Sequence, residues 1–69
     1  MSESVYKIIQ LVGSNSSSWE EAAKGAVETA SKSLKNLRIA EVDKLDMKVE
    51  NGKVTAYRAR VSLSFKYED

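Results

Sequence analysis

The sequence predicts an α+β fold with one helix and three strands in the order β-α-β-β. A β-branched, apolar run at residues 5–12 is typical of a strand. Small and apolar residues then recur at steps of three and four, which indicates an amphipathic helix. Two long segments flank Asn51-Gly52, and this dipeptide is the strongest short signal for a β-hairpin.

The composition restricts how such a fold is stabilised. The 69 residues are predicted to form one domain, 1–69, and a chain this short buries only roughly 60% of the surface that its unfolded form exposes. The sequence contains no Cys and no His, which removes disulfides, thiolate metal sites and the commonest general base. Self-association is the remaining source of stability.

The charge balance and hydropathy bear on partners and compartment. Eleven basic and ten acidic residues give a formal charge of +1, which is not the footprint of a nucleic-acid-binding protein. No apolar run approaches the ~20 residues of a membrane span, and the short acidic N-terminus does not resemble a signal peptide. We therefore predict a cytoplasmic protein with neither nucleic acid nor a membrane as its partner.

The helix is predicted to begin after Ser18, because Ser18 and Glu21 have the spacing of a capping box. Gly13 is predicted to take a positive φ where the chain leaves the first strand. The helix is expected to run for about 18 residues, with Asn36 in the left-handed conformation at its exit. Its apolar stripe comprises Trp19, Ala22, Ala23, Ala26, Val27, Ala30, Leu34 and Leu37. Trp19 is interpreted as a packing residue at the helix start.

The second and third strands are predicted at residues 38–50 and 54–67. The alternation of the second strand changes phase, and a bulge near Asp43-Lys44 would restore one apolar face. Each strand spans about 43 Å, whereas the helix spans about 27 Å, so the helix cannot cover the sheet. The apolar residues left uncovered near the hairpin are Met47, Val49, Val54 and Ala56. Such a patch marks an interface, and we predict a closed homo-oligomer.

The sequence does not predict an enzyme. The serines at positions 14–18 have no His to activate them, and pairs such as Asp46 and Glu50 are too common to indicate acid–base chemistry.

Acidic residues in the second strand are a candidate metal site. They are Glu41, Asp43, Asp46 and Glu50. Hard cations such as calcium bind several oxygens, and a symmetric shell could assemble them from several copies. The spacing is not that of an EF-hand. The alternative is a solvated or salt-bridged strand face.

Together these motifs resemble the dodecin family over about residues 4–67. The family's opening segment is similar to VYKIIQLVGSNSSSWEEAAKGAVETASKSLKNLR, and its hairpin and third strand are similar to ENGKVTAYRARVSLSF. The resemblance implies a three-stranded antiparallel sheet wrapped around one helix. It also implies a hollow homododecamer that stores or sequesters a small ligand, which is flavin in many members.

Two positions depart from the flavin-binding pattern. The resemblance implies that flavin stacks on a Trp after the helix and bonds to a Gln of the third strand, where this chain has Ile39 and Arg58. Loss of an aromatic platform removes roughly 1–3 kcal/mol of stacking, and Arg cannot accept a hydrogen bond. We therefore predict weak or absent flavin binding. Arg58 could pair instead with a phosphate, a carboxylate or an acid of a neighbouring subunit.

The sequence thus predicts a dodecin-like homododecameric shell for storage or sequestration of a small ligand that it does not identify. One alternative is a calcium- or cation-binding dodecin that uses the acids of the second strand, since family members without the Trp include a calcium-binding assignment. The other alternative is a purely structural oligomer.

Overall fold

A computed structural model describes residues 4–67 of the chain. Its elements are β1 (Tyr6–Asn15), α1 (Trp19–Ser31), β2 (Leu37–Glu50) and β3 (Lys53–Lys66). The strands form one antiparallel sheet in the order β1-β3-β2, and α1 packs against one face of it. The predicted α+β class and the β-α-β-β order are confirmed.

The core lies between the alanine face of α1 and alternate residues of β3. The small alanine side chains of α1 let the helix lie close to the sheet. The residues of β3 that alternate with the core residues face away from α1. We call the surface that those intervening residues form the open face. The buried core consists of Ala22, Ala26, Ala30, Ala59, Val61 and Leu63.

Gly13 has a different role from the predicted one. It lies buried within β1, which continues to Asn15, and Gly52 is the one glycine with positive φ among residues 4–67. A Cβ on Gly13 would lie 2.1 Å from the carbonyl oxygen of Ala22 and 3.0 Å from the Cβ of Ala26. The prediction of a positive φ was therefore wrong, and Gly13 instead allows β1 to contact α1 closely.

The start of α1 confirms Ser18 as the N-cap, but the reciprocal bond of the predicted capping box comes from Asn15 and not from Glu21. Ser18 Oγ accepts a hydrogen bond of 3.1 Å from the backbone N–H of Glu21. The backbone N–H of Ser18 donates to Asn15 Oδ1 at 3.3 Å, so the residue that completes this cap is Asn15.

The end of α1 comes earlier than predicted, after 13 residues. The carbonyl of Ala30 accepts the N–H of Leu34 at 2.9 Å and the hydroxyl of Ser33 at 3.4 Å, and such side-chain bonds compete with helix continuation. Leu34 still packs on the core, from the connection rather than from the helix, and Leu37 begins β2. Asn36 has the predicted left-handed φ, 62°, but in that connection.

Three residues interrupt the pairing of β2 with β3. The extra residues are Arg38, Asp43 and Thr55, as the register shifts show. The bulge at Asp43 was predicted, and it keeps the apolar residues of β2 on one face. The bulge at Thr55, whose Oγ1 donates to the carbonyl of Lys48 at 3.4 Å, was not predicted.

The β2–β3 hairpin extends well beyond α1. Asn51 and Gly52 have φ of 51° and 75°, which confirms the predicted tight turn. The molecule measures 56 × 20 × 15 Å with a radius of gyration of 14.3 Å, whereas a compact chain of this length has about 11 Å. Its accessible surface of 5279 Å² exceeds by roughly a fifth the value expected for its mass. Among residues 4–67, the helix is too short and too polar to cross a membrane.

Candidate functional site

Ile39 occupies the position at which the resemblance places an aromatic platform. Its side chain is 62% exposed. It borders a concavity of about 340 Å³ between the end of α1 and the start of β2, with Val27, Leu37 and Ala40 among the other lining residues. The described residues around this concavity include no aromatic ring, so contact with a flat ligand here rests on aliphatic surface.

Arg58 is bound by an acid of its own chain. It lies opposite Asp46 in the β2–β3 pairing. Its Nε donates to Asp46 Oδ1 at 2.7 Å and its Nη2 donates to Oδ2 at 2.9 Å. These hydrogen bonds lower the pKa of the Asp46 carboxyl and raise the pKa of the Arg58 guanidinium. Both side chains remain about half exposed, so solvent screens the pair and its contribution to stability is small.

One chain does not bring Ile39 and Arg58 together. Ile39 pairs with Ser64 of β3, which is six residues from Arg58 along the strand. At about 3.3 Å per residue the two positions are roughly 20 Å apart. A site that uses both would therefore combine Ile39 of one copy with Arg58 of another.

Asp43 belongs to a polar row that crosses all three strands. As the bulge residue it has no register partner, and its Oδ2 accepts hydrogen bonds from Gln10 Nε2 at 3.1 Å and from the Ser62 hydroxyl. Gln10 also donates to Ser62 Oγ at 3.3 Å. The row lies on the open face, because Gln10 and Ser62 alternate with the core residues of β1 and β3.

The other two predicted metal ligands lie apart from each other on β2. Glu41 pairs with Ser62 in the sheet register and is exposed, so it lies beside the polar row. Glu50 is at the hairpin end, where its carboxylate is 3.5 Å from Lys48 Nζ. Within the described part of the chain, no three acidic side chains gather closely enough to hold a metal ion. A cation site of the predicted kind therefore needs carboxylates from more than one copy.

Trp19 lies at the start of α1 and packs against the sheet, as interpreted from the sequence. Its ring makes an edge-to-face contact with Tyr57, with centroids 5.1 Å apart. Its Nε1 donates to the carbonyl of Asp46 at 3.0 Å. Both contacts join the start of α1 to the β2–β3 hairpin, and they indicate that the Trp19 indole has a structural role.

The sequence did not reveal the Asp46–Arg58 pair or the Gln10–Ser62 contact. Counting back from the Asn51-Gly52 turn without a further bulge places Asp46 opposite Tyr57. The extra residue Thr55 moves the register by one and brings Arg58 into place. The order of the sheet decides the second contact, because β1 pairs with β3 and so Gln10 lies opposite Ser62.

The fold and the matches to known proteins define the class of this chain. The dodecin family model matches residues 5–68, and the chain belongs to the dodecin family. Calcium dodecin of Mycobacterium tuberculosis is 45% identical over 64 residues, which cover 91% of this chain and 89% of that protein.

Solved dodecin structures agree with this placement. Dodecin from Streptomyces coelicolor has a TM-score of 0.91 at 29% identity, over 100% of this chain and 99% of that one. The crystal structure of M. tuberculosis calcium dodecin has a TM-score of 0.82 at 42% identity, over 93% of this chain and 91% of that one. That structure is described as a calcium-chelating antigen with a novel calcium-binding site.

Proposed function

We propose that the chain is a subunit of a closed homo-oligomer, a homododecamer as the resemblance implies, which binds and stores a hard cation such as calcium. It acts as a binding protein and not as an enzyme. The cytoplasm stays our predicted compartment.

The observation that carries this proposal is the Asp43 carboxylate on the open face. Gln10 and Ser62 fix one carboxylate oxygen, and the described residues give Oδ1 no hydrogen bond, so this oxygen is oriented toward solvent or a ligand. Glu41 lies beside it. Calcium takes six to eight oxygens, largely from carboxylates, carbonyls and water, and repeated copies of this row would supply them. The 45% identity with calcium dodecin supports the same ligand.

Calcium titration of chelator-treated protein tests this proposal. We expect the unmodified protein to bind calcium by isothermal titration calorimetry, and Asp43→Asn to lose about tenfold or more in affinity because a charged ligand is removed. Glu20→Gln is the matched control, since Glu20 is an exposed acid in the first turn of α1. No uptake at millimolar calcium, or equal losses in the two variants, would contradict the proposal.

Flavin is the second candidate ligand, because the resemblance implies it. Ile39 offers no aromatic surface and Arg58 is engaged by Asp46, so we expect weak riboflavin binding with little quenching of its fluorescence. Loss of a stacking platform costs roughly tenfold or more in affinity. The double change Ile39→Trp with Arg58→Gln should recover part of it in a fluorescence titration. Tight, strongly quenched binding by the unmodified protein would contradict this expectation.

Binding of neither calcium nor riboflavin, together with an intact oligomer, would favour the remaining alternative of a purely structural assembly.

A further inference from the structure

The Asp46–Arg58 ion pair lies on the same strand segment as the proposed cation ligands. Asp46 follows Asp43 by three residues on β2, and Arg58 meets it on the open face of β3. The guanidinium engages both oxygens of the Asp46 carboxylate, at 2.7 and 2.9 Å. Asp46 is thus an acid of the predicted metal site whose carboxylate is already occupied by a cation of the protein itself.

We propose that Arg58 is an internal counter-ion that competes with the bound cation for Asp46, and that this competition sets the cation affinity of the shell. The inference rests on the proposed calcium function. A carboxylate that forms a bidentate pair with Arg cannot present that same edge to calcium for bidentate coordination, which leaves it a poorer calcium ligand. Loss of Arg58 would release one more carboxylate and remove one repelling charge.

The surroundings of Asp46 reinforce the effect of Arg58. Arg60 lies two residues from Arg58 on β3 and therefore on the same face, so a second guanidinium lies near Asp46. Arg60 lies directly opposite Lys44 in the sheet register. A cation that approaches Asp46 therefore meets repulsion from Arg58, Arg60 and Lys44 on this part of the open face.

The opposing interpretation is that the pair only stabilises the hairpin. In that case replacement of either partner would lower the melting temperature and leave calcium affinity unchanged. Competition predicts opposite changes in affinity: Arg58→Gln strengthens calcium binding, whereas Asp46→Asn weakens it because the Arg58 charge is left without its counter-ion.

Calorimetric titration with calcium chloride separates the two interpretations. We expect Arg58→Gln to raise the affinity about fivefold, which corresponds to about 1 kcal/mol, the repulsion in water between a divalent ion and a unit charge roughly 8 Å apart. Asp46→Asn should lower it by a similar factor. Arg38→Gln removes the same charge from β2, where Arg38 is exposed and has no ion pair with the described residues, and should change the affinity by less than about twofold.

Circular dichroism and sedimentation confirm fold and assembly before each titration. If Arg58→Gln does not fold, the Asp46→Asn variant decides the test. A calcium affinity of Asp46→Asn that is equal to or higher than that of the unmodified protein overturns the inference. Calcium binding by the unmodified protein with unchanged or weaker binding by Arg58→Gln overturns the inference and leaves the calcium function intact. Binding by Arg58→Gln alone supports competition and overturns the calcium function of the unmodified chain. If neither the unmodified protein nor Arg58→Gln binds calcium, both the competition and the proposed calcium function are overturned.

Discussion

The two halves of the β2–β3 ribbon have similar sequence patterns and different surroundings. Where α1 lies over the sheet, Val61 and Leu63 have 0% exposure. Toward the turn, Met47, Val49 and Val54 are 47%, 61% and 47% exposed. Alternating apolar residues therefore predict that a strand has a face to be covered, but they do not say whether the same chain or another copy covers it.

The difference follows from the dimensions of the elements. The 13 residues of α1 span about 20 Å, and the 14 residues of β3 span about 46 Å. Helix packing can stabilise β3 in the covered half within one chain, whereas Ile39, Val42 and Leu45 of β2 stay at least half exposed there as well. The hairpin half exposes apolar surface that favours association, so the stability of this half should depend on protein concentration.

The largest effect is expected where α1 covers the sheet, from Gly13→Ala in β1. The added methyl group would lie 2.1 Å from a backbone oxygen of α1, and relief requires moving the helix away from the core. We expect a loss of about 3 kcal/mol in the free energy of unfolding, at the upper end of overpacking effects. Urea denaturation measures it.

Gly25→Ala is the matched control for this change. Gly25 lies in α1, and no atom lies within 4 Å of the position that an added methyl group would take. The same substitution should therefore stabilise the protein here by roughly 0.5–1 kcal/mol. Equal effects at the two glycines would show that close approach at Gly13 is not the reason for the residue.

The next largest effect concerns the hairpin half and falls on assembly. Val49→Asp places a charge in the exposed apolar patch, and burial of an unpaired carboxylate at an interface costs several kcal/mol. We expect a smaller species in sedimentation velocity, with strand content retained by circular dichroism. Lys24→Asp on the exposed face of α1 should keep the full size. An unchanged size for Val49→Asp would place the interface elsewhere.

A smaller effect is expected at the turn itself. Gly52 has a φ of 75° and open space around it, so Gly52→Val is opposed by backbone strain alone, at about 1–2 kcal/mol. Lys53→Val, one residue further at the start of β3, introduces the same side chain without a positive φ and should be nearly neutral. A melting temperature for Gly52→Val equal to that of the unmodified protein would contradict the strained turn.

The smallest effect is the pH dependence of the Asp46–Arg58 pair. Because folding lowers the pKa of Asp46, the stability that the pair contributes is present above the unfolded pKa and is lost as pH falls through the folded value. Asp46→Asn should therefore have a slightly lower free energy of unfolding than the unmodified protein near neutral pH, and an equal one at about pH 2. Urea denaturation at both pH values tests this, and a constant difference between the two proteins would contradict it.

Local patterns predicted the fold well. The cap at Ser18, the Asn51-Gly52 turn and the bulge at Asp43 each depend on residues close in sequence, and each is confirmed. The role of Gly13 was missed because it depends on a helix that packs across it, which local patterns do not contain. The early end of α1 is different, because Ser31 and Ser33 bond to carbonyls three residues earlier and are a local signal that was overlooked.

The candidate site was less predictable for the same reason as the role of Gly13. The acids of β2 were identified, but their partners are set by register and sheet order. One unpredicted bulge at Thr55 pairs Asp46 with Arg58, and the central position of β3 pairs Gln10 with Ser62. Whether the metal-site acids bind a cation remains a prediction, because it depends on copies of the chain.

Asp43, like Arg38, is a residue of β2 without a partner on β3. Val42 and Lys44 have partners on β3, and Asp43 between them has none. If it were deleted, Val42, Lys44 and Leu45 would follow one another with regular alternation, and every later side chain of β2 would keep its present face. At this point β2 thus contains one residue more than its pairing with β3 uses, and the effect is to turn a carboxylate across the open face, where it accepts hydrogen bonds from Ser62 of β3 and Gln10 of β1.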